Sequence, residues 1–203
     1  MKRQTLITIT VLWLAAVFAG MGVLWNYQNA PGQAATPPLD WPAGSSILRD
    51  SHRPTLVMFA HPRCPCTRAS VGELNILMTR CQGRLTAYVL FYQPSGQPGN
   101  WDKTDLWRSA AAVPGIQVRD DKDGREARRF HAATSGQTYL YDTNGPLLFS
   151  GGITGARGHA GDNAGRGALE SLLLGGSAVH TRTLVFGCSL LGPPRQEEKS
   201  CRK

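Results

Sequence analysis

The segment "PTLVMFAHPRCPCTRASVGELNILMTRC", Pro54 to Cys81, decides the fold. Its first part, Pro54 to Ala60, is a short continuous apolar run, which predicts a strand buried on both faces. Its last part has the spacing i, i+3, i+4, i+7 of one apolar helix face, formed by Leu74, Leu77, Met78 and Cys81. Cys64 and Cys66 therefore stand where a buried strand turns into a helix.

The elements predicted downstream alternate at first and then change pattern. Strands are expected at 84–93 and 116–121, and helices at 104–113, where Thr104 or Asp105 is the cap, and at 124–132. The run "QTYLYDTNGPLLFSGG" predicts a hairpin around Asn144-Gly145. A last helix follows at 163–176, capped by Asp162 or Asn163. This order predicts an α/β fold with a central mixed sheet flanked by helices.

The N-terminus predicts a membrane segment. Leu6 to Trp25 carries no charge and has the ~20 residues that a spanning helix needs. A cleavable signal sequence is the alternative, although the run is long and the small-residue site at Ala34-Ala35 lies well beyond it. Lys2 and Arg3 place the N-terminus in the cytoplasm, and a single-pass inner-membrane protein with a periplasmic or extracytoplasmic domain is expected.

Composition sets the remaining boundaries. We expect an anchor at 1–27, a Pro/Gly/Ala-rich linker at 28–52, the folded domain at 53–191 and a charged tail at 192–203. The net charge of +8 is scattered and accompanies no nucleic-acid motif, so no nucleic-acid partner is expected. Five cysteines in 203 residues are too few for a disulfide scaffold, and each is judged by its surroundings.

The order of these elements over Arg53 to Gly175, with cysteines after the first core strand, resembles the thioredoxin-like superfamily. More closely, "FAHPRCPCTRAS", "TSGQTYLYD", "GPLLFSGGITGARGHAGDNAG" and "LVFGCSLL" resemble membrane-anchored bacterial thioredoxin-like proteins sometimes labelled RedB. The resemblance implies thiol-disulfide exchange. The chain departs from the superfamily pattern in two places. Its motif is C-x-C with Thr67 in the usual position of the second cysteine, and residues 135–137 replace the proline before the third core strand.

Cys64 is the expected nucleophile. A helix beginning at Pro65 would offer amide donors and the positive end of its dipole to the Cys64 sulfur, and Pro65 loses no donor that the helix needs. His61 and Arg63 add positive charge nearby, if His61 is protonated.

Either of two thiols can resolve the mixed disulfide of Cys64. Cys66 lies eleven residues before Leu77 and points toward the core, as a buried partner of an exposed Cys64, but a bond across Pro65 closes a small strained ring. Cys188 is distant in sequence, and a buried apolar role for it is equally well supported. Cys81 is expected in the core, and Cys201 is expected to be incidental in the tail.

These patterns predict a membrane-anchored, periplasm-facing thiol-disulfide oxidoreductase without a cofactor, acting on protein thiols or disulfides or on another redox protein. The alternative is a copper or zinc protein with Cys64, Cys66 and His61 as ligands, completed by Cys188, His159 or His180. A peroxidase of the peroxiredoxin type is disfavoured, because its hallmark threonine is absent three residues before either cysteine. A non-catalytic binding module predicts that Cys64→Ser leaves function intact. The loop from Arg157 to Gly165 borders the active site or is a plain flexible loop.

Overall fold

The structure of the protein is a computed structural model that describes residues 2–191. The chain forms two compact units, and the boundary between them in the sequence lies between Ala30 and Pro31. The first unit is a single helix, α1 (Lys2–Asn29). From Arg3 to Asn29 it is long and apolar enough to cross a membrane, and its apolar side chains are exposed. A signal sequence has the same properties, so both predictions for this segment stand.

The second unit is built on one five-stranded sheet. In chain order its elements are β1 (Thr55–Ala60), α2 (Thr67–Arg80), β2 (Thr86–Gln93), α3 (Asp105–Ala111), β3 (Ile116–Lys122), α4 (Arg125–Arg129), β4 (Thr138–Tyr141), β5 (Leu147–Gly151) and α5 (Ala164–Leu173). The strand order is β3-β2-β1-β4-β5. The first three strands are parallel, whereas β4 is antiparallel to β1 and to β5. The predicted mixed sheet flanked by helices is confirmed.

The side chains of β1 alternate between two hydrophobic cores. Leu56 and Met58 pack with residues of α2, α3 and α5 on one face of the sheet. Val57 and Phe59 pack on the other face with residues of α4 and with several aromatic rings. Every residue of β1 is buried, as the continuous apolar run predicts. The sheet therefore fixes the end of β1 rigidly at the turn that carries the cysteines.

The helix caps settle two alternatives left by the sequence. Thr104 caps α3 by accepting a hydrogen bond from the Trp107 amide. Asn163 caps α5 by accepting one from the Arg166 amide, at 2.9 Å. In both cases a short polar side chain satisfies an amide that the first helical turn leaves unpaired.

The predicted linker boundary is wrong for residues 31–52, which belong to the folded unit. The Trp41 ring packs edge-on against Phe130 and Tyr141, with ring centroids 5.3 Å apart in each case. Ile47 is buried in the same core. The Ser45 hydroxyl donates to a carboxylate oxygen of Glu126 at 2.7 Å. A proline- and alanine-rich composition predicts an extended segment, but a few apolar anchors are enough to dock it.

Candidate active site

The cysteine turn joins the end of β1 to the start of α2. The Cys64 amide donates to the His61 carbonyl at 3.1 Å, and the Thr67 amide donates to the Cys64 carbonyl at 3.2 Å. The regular helix begins at Thr67, two residues later than predicted, with Cys66 at its N-cap position. Pro65 lies in this tight turn, where its missing amide is not needed.

Three cysteine sulfurs meet at this turn. The Sγ atoms of Cys64, Cys66 and Cys188 all lie within 4.8 Å of one another. Cys64 and Cys66 are 3% and 7% exposed, so the prediction of an exposed Cys64 beside a buried Cys66 is wrong. Cys188 is half-buried and is in contact with the sulfur pair. The structure thus brings Cys188 beside Cys64 and Cys66, and its role there stays a prediction.

The C-terminal segment 181–190 brings Cys188 to the turn. It runs beside β5, where the Ser150 amide donates to the Thr181 carbonyl at 3.0 Å. It then crosses the residues before β4, where the Ser135 amide donates to the Cys188 carbonyl and the Leu190 amide to the Ala133 carbonyl, both at 2.9 Å. Arg157 donates to the Gly187 carbonyl at 2.7 Å, so the loop 157–165 borders the site through this residue.

Hydrogen bonds to the Cys64 sulfur stabilise its thiolate. They come from the Cys188 thiol, the Cys66 thiol, the Thr67 hydroxyl and the Cys188 backbone amide. Together they outweigh burial and hold the pKa of Cys64 far below its ordinary value. The lowered pKa favours the thiolate form of Cys64, which is the form that attacks disulfides.

The other two thiols remain protonated at neutral pH. The pKa of Cys188 is raised by its hydrogen bonds to Cys64 and Cys66 and by burial. For Cys66, the bond from Cys188 lowers the pKa, but donation to Cys64, burial and the Cys64 charge outweigh it and raise the pKa. One negative charge is thus shared by three sulfurs and is centred on Cys64.

Ser135 belongs to the segment 135–137 that replaces the expected proline, and its hydroxyl contacts the Thr67 hydroxyl. The His61 amide donates to Ser135 Oγ at 2.7 Å, and Ser135 Oγ lies 2.6 Å from Thr67 Oγ1. When Thr67 donates its proton to Cys64, the only donor left for the 2.6 Å contact is the Ser135 hydroxyl. A chain of hydrogen bonds thus runs from the His61 amide through Ser135 and Thr67 to the thiolate.

The His61 ring faces aromatic side chains and does not join the sulfur cluster. Its ring centroid lies 6.0 Å from that of Tyr92 and 5.8 Å from that of Trp101. Its Nδ1 accepts a hydrogen bond from the Arg63 amide at 3.2 Å. Arg63 also covers Trp101, 4.6 Å from the ring centroid. His61 thus lies outside the metal-compatible group, which among the described residues comprises three cysteines.

The remaining candidates lie elsewhere. Within residues 2–191, His159 and His180 are not part of the sulfur cluster. His159 Nδ1 lies 3.1 Å from the Arg157 carbonyl and is exposed. Cys81 is fully buried in the core, as predicted, and Cys201 lies outside the described residues.

No family model and no curated protein matches the sequence. Among solved structures, the chain is similar to a hypothetical protein, SMc02350, from Sinorhizobium meliloti 1021, with 21% identity and a TM-score of 0.61 over 80% of this chain and 99% of that one. It is also similar to an uncharacterized conserved protein from Geobacillus kaustophilus, with 18% identity and a TM-score of 0.58 over 82% and 94% of the two chains. The chain is less similar to the exposed lipoprotein thioredoxin Etrx1 of Streptococcus pneumoniae strain TIGR4. The identity is 13% and the TM-score is 0.45, over 70% of this chain and 99% of that one.

The strand order decides the fold class. A β1-α2-β2 unit of parallel strands is followed in the same sheet by the antiparallel pair β4-β5 and a last helix, with the cysteines at the β1-α2 turn. The fold is thioredoxin-like. In this thioredoxin-like domain no cis peptide bond occurs among the described residues, in keeping with the missing proline. The closer resemblance to the proteins labelled RedB stays a prediction.

Proposed function

We propose that this chain is a membrane-anchored thiol-disulfide oxidoreductase with Cys64 as its nucleophile. The observation that carries the proposal is the meeting of three cysteine sulfurs, within 4.8 Å of one another, at the turn between β1 and α2. There the Cys64 sulfur has two thiols, a hydroxyl and an amide as hydrogen-bond donors, which lower its pKa. A core cysteine that only fills space has no need of four donors. A low pKa at a strand-to-helix turn is typical of an attacking cysteine.

The exchange proceeds through a mixed disulfide. The Cys64 thiolate attacks one sulfur of a substrate disulfide, forming a bond to it and releasing the other sulfur as a thiolate. A second cysteine passes its thiol proton to the released thiolate, attacks the Cys64 sulfur as a thiolate and releases the other half of the substrate as a thiolate. The enzyme is left with an intramolecular disulfide. The substrate has gained two electrons and one proton from the enzyme, and its second proton comes from solvent, because Cys64 enters the reaction already deprotonated. The reverse sequence oxidises a dithiol.

Cys188 is the better placed resolving thiol. Its sulfur lies within 4.8 Å of the Cys64 sulfur, and its thiol donates to the Cys64 sulfur. It also belongs to a segment that is remote in sequence from the turn, so a Cys64–Cys188 bond does not close the small ring that a bond across Pro65 requires. Cys66 donates to the same sulfur, but a bond between Cys64 and Cys66 has to close the small strained ring across Pro65.

The proposed setting is the inner membrane, with the domain in the periplasm. An uncleaved α1 would supply a single-pass anchor, and Lys2 and Arg3 at its N-terminal end favour a cytoplasmic N-terminus. The expected partners are protein thiols and disulfides or another redox protein. A periplasmic setting permits disulfides to persist.

The test maps the disulfide in the full-length chain in detergent. The reduced protein is treated with one equivalent of oxidised glutathione, free thiols are alkylated, and peptides are analysed by mass spectrometry. We expect a Cys64–Cys188 disulfide in the wild type and a lasting Cys64–glutathione adduct in Cys188→Ser. Dithiothreitol-dependent insulin reduction is expected to be lost in Cys64→Ser and kept in Cys81→Ser, the matched control.

Two results would separate the parts of this proposal. Insulin reduction that survives in Cys64→Ser would remove the oxidoreductase function. A wild-type disulfide between Cys64 and Cys66 would keep the function but would transfer the resolving role from Cys188 to Cys66.

A further inference from the structure

The three cysteines form an all-sulfur cluster. Their Sγ atoms lie within 4.8 Å of one another, and among the described residues no histidine or carboxylate oxygen is part of the group. Two of the sulfurs come from one turn and the third from segment 181–190, so the group is assembled only in the folded chain. Soft thiolate ligands select Cu(I) and zinc over harder cations.

The number of ligands distinguishes these two metals. Structural zinc sites are almost always tetrahedral with four protein ligands. Three sulfurs at about 2.3 Å from a metal in their plane stand about 4 Å apart, so the cluster needs to contract by less than 1 Å from its 4.8 Å limit. In the part of the chain that the structure describes, the set has three sulfurs and no fourth ligand, which suits three-coordinate Cu(I).

The surroundings also suit a soft monovalent ion. Cys64 and Cys66 are almost fully buried and Cys188 is half-buried, so the surroundings limit the access of the water and oxygen ligands that favour other ions. Three thiolates and one Cu(I) carry a net charge of −2. The Arg157 guanidinium, which is fixed to the Gly187 carbonyl at 2.7 Å beside Cys188, offsets part of this charge.

We propose that the reduced protein binds one Cu(I) ion through Cys64, Cys66 and Cys188. On binding, Cys66 and Cys188 each release a thiol proton to solvent, and three Cu–S bonds form with no change in oxidation state. A Cys64–Cys188 disulfide removes two of the three ligands. Copper binding and thiol-disulfide exchange therefore exclude each other at this site.

The test titrates the anaerobic, reduced, full-length chain in detergent with Cu(I) against the chelator bicinchoninate. We expect one Cu(I) per chain and an X-ray absorption spectrum with three sulfur neighbours at about 2.3 Å. Cys66→Ser and Cys188→Ser are each expected to weaken binding by at least about 100-fold, since changes to groups outside the ligand shell already cost about 10–100-fold. Cys81→Ser, a buried cysteine outside the cluster, is the control and is expected to bind as tightly as the wild type.

Several outcomes would overturn the copper site. These are an affinity unchanged in Cys188→Ser, an absorption spectrum with two sulfur neighbours, or zinc retained in preference to Cu(I). The disulfide mapping described above is independent of metal. A Cys64–Cys188 bond in a protein that binds no Cu(I) would reject the copper site and leave the oxidoreductase function standing.

Discussion

Gly187 lies so close to the carbonyl of Ser135 that a Cβ atom on Gly187 would stand 1.9 Å from that oxygen. Contact at this distance is impossible without movement of backbone, because the obstructing atom is itself a backbone atom. The next residue is Cys188, whose carbonyl accepts the Ser135 amide at 2.9 Å. The glycine therefore allows the C-terminal segment to approach closely enough to deliver the third sulfur.

We expect Gly187→Ala to withdraw Cys188 from Cys64. The Cys64 thiolate then loses its largest source of stabilisation, so its pKa rises toward the ordinary value. Disulfide formation with Cys188 is expected to slow by at least about tenfold. The reason is that one hydrogen bond to a charged group is lost, and such a bond contributes about 1.5–3 kcal/mol. Quenched-oxidation mass spectrometry measures this rate.

Gly155→Ala is the matched control for this change, because a Cβ at Gly155 meets no atom within 4 Å. It is expected to behave as the wild type. Equal oxidation rates in the two variants would show that the close approach at Gly187 does not position Cys188.

The pH dependence of Cys64 alkylation reports its ionisation directly. Because hydrogen bonds hold the pKa of Cys64 well below its usual range, we expect its rate with iodoacetamide to be almost flat between about pH 5 and 8. The unfolded chain loses these bonds, so its thiols are expected to react about tenfold faster for each pH unit up to about 8.5. A rate in the folded protein that rises as steeply as in the unfolded chain would contradict the thiolate.

Thr67→Val removes one hydrogen-bond donor to the Cys64 sulfur with little change in side-chain shape. The valine cannot donate to Cys64 or pair with Ser135, which lies 2.6 Å from the threonine hydroxyl. We expect the alkylation profile to shift toward higher pH, because the thiolate loses a hydrogen bond. Thr79→Val is the control, since the Thr79 hydroxyl bonds only to the Asn75 carbonyl on the same helix.

Local sequence patterns predict much of this fold and two of the three sulfurs of the cluster. The apolar run of β1 and the helical spacing after it are local signals, and they place Cys64 and Cys66 at the turn. Cys188 has no such signal, because its position depends on pairing between residues 133–135 and 188–190 that are distant in the chain. The glycine before Cys188 is the one local hint, since it permits a close backbone approach.

The misplaced linker boundary has a related cause. The composition of residues 31–52 predicts a linker because it averages over the whole segment. The segment nevertheless docks onto the domain through a few residues, here Trp41 and Ile47. The sequence predicts an exposed Cys64 for a similar reason. Segment 181–190, which brings Cys188 beside Cys64, is remote from Cys64 in the sequence.

The buried ion pair between Arg166 and Glu73 fixes α5 and the loop before it to α2. Arg166 donates to Glu73 at 2.6 Å, and the Gly161 amide donates to the same carboxylate at 2.7 Å. The Glu73 side chain is fully buried and that of Arg166 is 5% exposed. Removal of the arginine leaves a buried carboxylate with too few donors, which typically costs about 3–5 kcal/mol.

We therefore expect Arg166→Met to lower the free energy of unfolding by about 3–5 kcal/mol, as measured by urea denaturation. The exposed pair of Arg68 and Asp105 supplies the comparison. Arg68→Ala is expected to cost less than about 1 kcal/mol, because solvent screens an exposed pair. Similar losses in both variants would show that burial of the Arg166 pair is not decisive.

Tyr139 and Tyr141 are neighbours on β4 that differ in one hydrogen bond. The Tyr141 hydroxyl donates to the Pro38 carbonyl at 3.1 Å, whereas the Tyr139 hydroxyl is buried with no partner. Burial of an unpaired hydroxyl costs about 1–3 kcal/mol. We expect Tyr139→Phe to keep or raise the free energy of unfolding, and Tyr141→Phe to lower it by about 1 kcal/mol.

The dependence of stability on alkaline pH provides a second test of Tyr139 and Tyr141. Burial raises the pKa of both phenols above the ordinary value of 10.0. Above about pH 10 the unfolded phenols lose protons while the folded ones keep them, so stability falls as pH rises. Tyr139→Phe removes one of these groups and is expected to flatten the decline in urea midpoint between about pH 9 and 11. An unchanged slope in Tyr139→Phe would show that this phenol ionises as readily in the folded chain as in the unfolded one.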